Sequence, residues 1–260
     1  MSNIGIRDYI VSLLGKDLRI DGRKPDEFRK PITLEYNVSV NAEGSARVKI
    51  GDTEVIAGVK LNVGTPFADT PDEGVLMVGV ELLPLSSPDF EAGPPDEWAT
   101  ELARIVDRGI RESQMIDLKK LCIRQGELVW TVFLDIYTIN DDGNLIDASA
   151  LAAVCALRES RLLKLEGDKV LFGEHTKTKV PILKTPVTVT LFKIGEKLIV
   201  DPNIKEEKSA DARLTVAVSE KGEIHALQKG GNKGFSIGEV EHIIEIAQEK
   251  SKQLRKVIGE

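Results

Sequence analysis

Residues 32–63 read ITLEYNVSVNAEGSARVKIGDTEVIAGVKLNV, and their pattern shows how the core of the protein begins. Runs of β-branched residues predict strands at Ile32–Val40, Ser45–Ile50 and Thr53–Val63. The dipeptide Gly51-Asp52 leaves two residues between the last two strands, which is the length of a tight hairpin turn. The chain therefore starts its core with an antiparallel meander.

The segments on either side of this meander alternate between helix and strand patterns. Apolar residues at helical spacing predict a short docking helix at Ile4–Leu14, which Gly15 would end. On the other side, Val75–Leu83 is almost continuously apolar, as in a strand that is covered on both faces. Leu128–Ile139 predicts a long strand, and the Ala- and Leu-rich run Ile146–Leu165 predicts a helix that is buried on most sides.

A second group of strands and a final helix follow a polar segment that contains two prolines. We predict that this segment, residues 173–186, forms the crossing between two halves of the molecule. Ser236 and Glu239 form a capping box, which sets the start of the last helix. The elements predicted after the crossing are Val187–Ile194, Lys197–Val200, Arg213–Ser219, Ile224–Lys229 and the helix Ile237–Val257.

Together these patterns predict a mixed α/β (α+β) protein with two halves. The predicted divisions are an N-terminal helix and basic arm at 1–30, a first domain at 31–172, the crossing loop at 173–186 and a second domain at 187–260. Within the arm, turn-forming and charged residues predict an exposed connecting segment at Leu18–Pro31.

The composition limits the class of protein. With 260 residues, of which 42% are hydrophobic and 30% charged, the chain can bury a full core. A net charge of −7 argues against a stand-alone nucleic-acid binder, so any nucleic-acid contact must be local or shared. No apolar run approaches the ~20 residues that span a bilayer, and we expect no membrane contact and a cytoplasmic location. Cys122 and Cys155 lie apart from each other and from the three scattered histidines, which predicts buried thiols and no metal site.

The most informative stretch for function is Glu91–Arg111, in which a helix is predicted to begin near Asp96. At ~100° per residue, Arg104, Arg108 and Arg111 lie within roughly 60° of one another on one side of this helix. We call these three residues the arginine ridge. The opposite side is predicted to be buried and carries Trp98, Leu102, Ile105, Val106, Gly109 and Ile110.

Two interpretations of the arginine ridge stay open when the residues are considered alone. Like charges at this spacing repel by ~0.2–0.5 kcal/mol per pair, so the ridge calls for a counter-charge. Glu97, Glu101 and Asp107 flank it and would neutralise it as part of an ordinary solvated face. In the other interpretation, the planar guanidinium groups bind phosphates of a nucleic acid.

Two further segments allow a binding role. The acidic segment Asn140–Asn144 invites a calcium interpretation, but it lacks the ligand spacing of an EF-hand, so an ordinary Asp-Gly turn is favoured. The glycine-rich segment Gly230–Gly234 lies between a strand and a helix, where backbone N–H groups can hold an anion. It lacks the spacing of a P-loop, and a flexible connection is the favoured interpretation.

Several of these segments, taken in order, resemble motifs of the RNase PH family over nearly the whole chain. The similar stretches are Arg19-Ile-Asp-Gly-Arg23, Gly44–Val48 followed by Gly51–Val55, and the helix Glu101–Arg111. The resemblance implies an RNase PH-like fold, in which two βαβ-type halves pack mixed sheets on helices. It also implies a six-membered ring around a central pore, which uses inorganic phosphate to shorten RNA from the 3′ end.

Within that family, the chain is most similar to non-catalytic RNase PH-like subunits of the archaeal exosome, through Leu82–Ser86, Phe90–Glu97, Val200–Pro202, Asp211–Thr215 and Ala226–Gly230. Active members carry an Asp-Gly-Gly-Thr/Ser-Arg turn before the long helix, whereas the turn here, Asn140–Asn144, has two carboxylates and no arginine. Alignment places Glu207 and Arg213 where active members have two aspartates for a metal ion or a general-acid step. The resemblance therefore implies a subunit that has no catalytic residue of its own.

The resemblance also implies which residues and partners serve RNA binding. Arg104, Arg108 and Arg111 would contact RNA phosphates beside a catalytic RNase PH-like paralogue, in a ring that is a trimer of heterodimers. Neither a cofactor nor a metal is expected in this chain, whereas phosphate and a divalent metal are expected at the partner subunit. Single-stranded RNA and RNA-binding cap proteins are the other expected partners. The alternatives are an independently active phosphorolytic exoribonuclease and a protein that uses the fold without RNA.

Overall fold

The computed structural model describes residues 3–260, with side chains from residue 5 onward. Its helices are α1 (Asn3–Leu14), α2 (Glu97–Glu112), α3 (Leu145–Glu159), α4 (Ile204–Glu207) and α5 (Ile237–Val257). Its strands are β1 (Ile32–Tyr36), β2 (Gly44–Ile50), β3 (Thr53–Gly64), β4 (Val75–Glu81), β5 (Cys122–Arg124), β6 (Leu128–Asn140), β7 (Arg161–Glu166), β8 (Lys169–Lys179), β9 (Val187–Ile194), β10 (Lys197–Val200), β11 (Ala212–Val218) and β12 (Ile224–Gly231).

The first half is built on a six-stranded sheet with the order β1-β2-β3-β6-β4, to which β5 adds by pairing with β6. The predicted β2–β3 hairpin is confirmed, because Ile50 pairs with Thr53 across its turn. Strand β4 pairs with β6 in parallel and lies at the sheet edge. The prediction that β4 is covered on both faces is wrong, since Met77 is 47% exposed. An apolar run alone does not distinguish a central strand from an edge strand that contacts a neighbouring surface.

The second half is a four-stranded antiparallel sheet with the order β10-β9-β11-β12. Helix α5 packs on β9 and β11, and its capping box is present: Ser236 N–H donates to Glu239 and Glu239 N–H donates to Ser236 Oγ. Helix α3 contacts β2 and β3 of the first sheet and β9 of the second. Every residue from Leu145 to Leu157 is therefore buried, as the Ala- and Leu-rich sequence predicts.

Two predictions around the end of α3 are wrong. The helix stops at Glu159, not Leu165, and residues 161–179 form the antiparallel hairpin β7–β8. The predicted crossing loop at 173–186 is consequently a strand up to Lys179. The alternation of polar and apolar residues in Arg161–Glu166 fits a strand. Gly167 supplies the positive φ of +60° that the turn between β7 and β8 requires.

The N-terminal segment is more closely integrated than predicted. Helix α1 docks through Ile10 and Leu14 on a small second core, which also contains Phe192, Ile194 and Ile199. The left-handed residue after α1 is Asp17, with φ +55°, and not Gly15. The arm Leu18–Pro31 is not an exposed connection, because its residues Arg19, Phe28 and Arg29 are 3%, 5% and 6% exposed. Across residues 3–260, none of the helices is both long enough and apolar enough to cross a bilayer.

Candidate nucleic-acid interface

Helix α2 begins and packs as its sequence predicts. Asp96 is the N-cap and accepts a hydrogen bond from Ala99 N–H at 2.7 Å. This bond satisfies one of the free backbone donors of the first turn. Trp98 is only partly buried, which differs from the prediction. The remaining predicted apolar stripe is buried and consists of Leu102, Ile105, Val106, Gly109 and Ile110.

The three members of the arginine ridge are all exposed, but they differ in their partners. Arg111 donates twice to the Asp107 carboxylate, at 3.1 Å from Nε and 2.7 Å from Nη2, and once to the Leu76 carbonyl at 3.2 Å. The hydrogen bonds with Asp107 raise the pKa of Arg111. Arg104 and Arg108 form no ion pair with any of residues 5–260. Neutralisation within a solvated face thus describes Arg111, whereas Arg104 and Arg108 keep their charges available.

A groove separates α2 from the edge of the second sheet, and its wall carries further cations. Arg104 and Arg108 line one side, and Arg213 of β11 and Lys229 of β12 line the other. The guanidinium carbon of Arg213 lies 5.0 Å from the centre of the Trp98 ring. The sequence alone does not predict this contact, because it indicates Arg213 only as the replacement of an acidic residue. We call this feature the α2–β12 groove.

The turn before α3, Asn140–Asn144, is where the sequence differs from the motif of active members of the RNase PH family, which the chain resembles. Asn144, with φ +54°, is the N-cap residue of α3, and its N–H donates to Glu207 Oε2 at 2.6 Å. A carboxylate of the protein therefore already sits at the positive end of α3. Burial raises the pKa of Glu207 to about 7. The hydrogen bond from Asn144 N–H lowers this pKa, but its effect is smaller than that of burial.

The two aspartates of this turn are also engaged within the protein. Asp141 Oδ1 accepts a hydrogen bond from Gly143 N–H at 2.9 Å, and burial raises the pKa of Asp141. Asp142 Oδ2 accepts from Arg29 Nη1 at 3.1 Å. Among the described residues, no group of three or more acidic, histidine or cysteine side chains is arranged to hold a metal ion. The turn acts as an internally bonded Asp-Gly turn.

An ionic network connects the N-terminal arm to the segment that carries Glu207. Arg29 binds the buried Asp201 through its backbone N–H at 2.6 Å and its Nη2 at 2.8 Å. Arg19 forms a bidentate pair with the buried Glu206, with Nε 3.0 Å from Oε1. The arm is therefore held by charge pairs that composition cannot distinguish from an exposed basic segment.

The glycine-rich segment Gly230–Gly234 is tied to Asp211. The N–H groups of Asn232 and Lys233 both donate to the Asp211 carbonyl, at 3.0 and 3.2 Å. The Lys233 ammonium lies 3.2 Å from the Asp211 carboxylate, which also pairs with Arg7 at 3.0 Å. These donors serve the protein itself, so the segment is a fixed connection and its amides do not form an anion cradle.

Comparison with known proteins places this geometry in a family. Profiles of the 3′ exoribonuclease family match residues 27–162 for domain 1 and residues 184–250 for domain 2. The chain is 48% identical over 250 residues to the exosome complex component Rrp42 of Methanocella arvoryzae, covering 96% of this chain and 94% of that protein. The Thermoplasma acidophilum protein of the same name is 48% identical over 251 residues, again covering 96% and 94%.

A solved structure gives the same result in three dimensions. The fold superimposes on a chain of the Archaeoglobus fulgidus exosome with RNA bound to the active site, with a TM-score of 0.89, 44% identity and 98% of each chain covered. Both domain profiles, the identity to full-length relatives and the fold agree over almost all of the sequence. The chain therefore belongs to the 3′ exoribonuclease (RNase PH) family.

Proposed function

We propose that this chain is a non-catalytic ring subunit of an archaeal exosome, a 3′-to-5′ phosphorolytic exoribonuclease and RNA-tailing complex. Its relatives at 48% identity are named exosome components, and they match it over nearly their full length. The observation that best supports the proposed absence of catalysis is that Glu207 Oε2 accepts a hydrogen bond from Asn144 N–H at 2.6 Å, at the start of α3.

The chemistry of this region opposes phosphorolysis by the chain itself. An attacking phosphate dianion at the N-terminus of α3 would have to displace Glu207 from the Asn144 N–H and would meet the two turn aspartates, whose negative charges repel it at a distance of a few Å. Arg213 stands where active members have an acid, and a guanidinium neither donates a proton at neutral pH nor coordinates a cation. The alternative of an independently active enzyme would need a metal site near Asp211, whose carboxylate is already held by Arg7 and Lys233.

The contribution of this chain is to grip RNA. Arg104 and Arg108 are exposed, lie one turn apart on α2 and face the same groove. Fixed guanidinium groups suit phosphate oxygens, and they bind without reading the sequence of the bases. Arg111 contributes less, because Asp107 already compensates its charge. Binding that rests on such contacts weakens as the salt concentration rises.

The proposed partners follow from this division of labour. A catalytic RNase PH-like paralogue alternates with this chain in a trimer of heterodimers, and it holds the attacking phosphate and a divalent metal ion. Single-stranded RNA passes along Arg104 and Arg108 towards the paralogue, and RNA-binding cap proteins sit on the ring. This chain needs no cofactor, and we place the complex in the cytoplasm.

The substitution Arg108→Glu in the assembled complex tests this function. We expect the ring to assemble normally and to retain single-stranded RNA more weakly, because the substitution puts a carboxylate in the phosphate path. Filter binding or gel retardation measures RNA retention, and size-exclusion chromatography measures assembly. Arg124→Glu is the matched control, because it makes the same charge change at an exposed site away from the groove. Arg124 lies on β5 and pairs with Asp168, in the turn of the β7–β8 hairpin, at 2.7 Å. The proposal is contradicted if the substitution makes rings dissociate while the rings that stay assembled bind RNA with unchanged affinity.

A further inference from the structure

Arg213 reaches the α2–β12 groove by crossing β12 at a glycine, which has no side chain to block it. Arg213 on β11 pairs with Gly230 on β12 in the register of the sheet. A Cβ atom added to Gly230 would lie 2.5 Å from the guanidinium carbon of Arg213. The guanidinium therefore rests directly on the backbone of β12, and a side chain at position 230 would displace it from this place.

Two side chains of α2 fix the guanidinium on the other side. The Trp98 ring lies 5.0 Å below it, which is within the range of a cation–π contact. Glu101 Oε1 lies 2.5 Å from Arg213 Nη2. Arg213 is 16% exposed and Glu101 is 46% exposed, so the arginine is held in place while its counter-ion is free to move into solvent.

The hydrogen-bonding capacity of Arg213 is not filled by the described chain. Nε and Nη2 are both shielded from solvent, and neither has a hydrogen-bond acceptor among the described residues. Nη2 is compensated by charge while Glu101 Oε1 lies 2.5 Å from it, and it loses this compensation when Glu101 moves away. Buried donors on a permanent cation are costly when they are not satisfied, and a phosphate oxygen is the acceptor whose shape and charge suit them.

We propose that Arg213 is a third phosphate ligand of the RNA groove, and that it exchanges Glu101 for a phosphodiester oxygen when single-stranded RNA enters. This inference rests on the proposed function, because Arg104 and Arg108 line the same groove. Trp98 is the positioning residue that keeps the guanidinium plane in place during the exchange. Glu101 is the internal competitor, which occupies Arg213 when no RNA is bound.

The test uses the assembled complex with its catalytic paralogue and a single-stranded oligoribonucleotide, with affinity measured over a salt series. Arg213→Gln removes one phosphate contact. The slope of the logarithm of the association constant against the logarithm of salt concentration, which is negative, should therefore become less steep by about 0.7. Glu101→Gln removes the competitor and should raise the affinity. Arg124→Gln, which makes the same charge change away from the groove, should leave both quantities unchanged.

Two further variants separate phosphate binding from a general loss of charge. Gly230→Ala keeps every charge but displaces the Arg213 guanidinium, so it should reduce the affinity as Arg213→Gln does. Trp98→Leu should do the same, and Trp98→Phe should restore binding because it retains an aromatic face.

The outcomes distinguish this inference from the proposed function. If Arg108→Glu weakens RNA retention while Arg213→Gln and Glu101→Gln leave affinity and salt slope unchanged, the Arg213 inference is wrong and the RNA-gripping function stands. If neither Arg108→Glu nor Arg213→Gln changes RNA binding, both fail. A fall in affinity with Glu101→Gln also overturns the inference, since Glu101 would then support binding and not compete with it.

Discussion

Asp201 is the residue that joins the N-terminal arm to the turn before α3. Its fully buried carboxylate accepts hydrogen bonds from the N–H, Nε and Nη2 of Arg29 and from Asn144 Nδ2 at 2.9 Å. Arg23 Nη1 lies 3.3 Å from it on the open side. A single carboxylate thus fixes an arm, a turn and a strand end, so the geometry around α3 depends on this ion cluster.

We predict that Asp201→Asn destabilises the protein by about 3 kcal/mol, because removing one partner of a buried ion pair leaves the other charge uncompensated. Urea unfolding at a fixed protein concentration measures the change. Asp168→Asn is the control, since Asp168 pairs with Arg124 at 2.7 Å on the exposed surface and should change stability little. Equal effects of the two substitutions would show that the Asp201 cluster does not hold the arm.

The raised pKa of Glu207 predicts that stability depends on pH, and it sets the sign of that dependence. Its pKa is about 7 in the folded protein, against an ordinary value of 4.5. Between these values the folded protein keeps a proton that the unfolded chain has released, so the contribution of Glu207 to stability falls as the pH rises. Above pH 7 the carboxylate is ionised in both states and the cost of burying its charge is fully present.

We predict that Glu207→Gln stabilises the protein relative to the parent more strongly at about pH 8 than at about pH 5, with a slope of up to about 1.4 kcal/mol per pH unit between the two pKa values. Glutamine keeps an oxygen for the Asn144 N–H but cannot ionise. Unfolding curves of both proteins over this range measure the difference. Asp147, whose pKa burial raises to about 7, is present in both proteins and cancels in the comparison. A difference that does not vary with pH would contradict the protonation of Glu207.

At the level of single residues, the sequence identified only the part of the site that is local. Arg104 and Arg108 follow from the helical period of α2, because their direction depends on spacing alone. Arg213, Trp98 and Glu101 are brought together by the packing of α2 against β12, which no local pattern contains. The signal that could have indicated this contact is the glycine at 230 inside a strand, since such a glycine often marks a close approach.

At the scale of elements, those with strong end signals were predicted well. The bounds of α5, β9 and β10 agree with the sequence, because a capping box starts α5 and a short glycine-containing turn separates β9 from β10. The sequence does not predict the β7–β8 hairpin, because the apolar residues of the Leu-rich run after α3 fit the helical period of 3.6 residues as well as the strand period of two. Its one distinguishing signal is Gly167-Asp168, a hairpin-turn dipeptide.

The arm Leu18–Pro31 shows why charge alone misplaces an element. Its arginines suggest exposure, yet Arg19 and Arg29 are almost fully buried against Glu206 and Asp201. Charged residues are buried only when they are paired, and these partners lie in the second half of the chain. The element therefore becomes predictable only once the two halves are placed together.

At the scale of the whole molecule, a net acidic protein has a local groove whose lining combines four cationic side chains with the acidic Asp96, Glu97 and Glu101. The groove lies between α2, which belongs to the first half, and β12, which belongs to the second. A net charge of −7 gives little attraction for RNA over the surface as a whole. The proposed RNA contact is therefore local to this groove, and the proposed function assigns the chemistry to a partner subunit.

The proposal that this chain is catalytically silent is tested most directly by RNA shortening. End-labelled single-stranded RNA is incubated with the chain alone, with the catalytic paralogue alone and with both, each in the presence and absence of inorganic phosphate. We predict no shortening by the chain alone, and phosphate-dependent shortening from the 3′ end that is strongest in the mixture, because the mixture joins the RNA groove to the active site. Phosphate-dependent shortening by this chain alone would contradict the account and would assign chemistry to the region of Asp141 and Glu207.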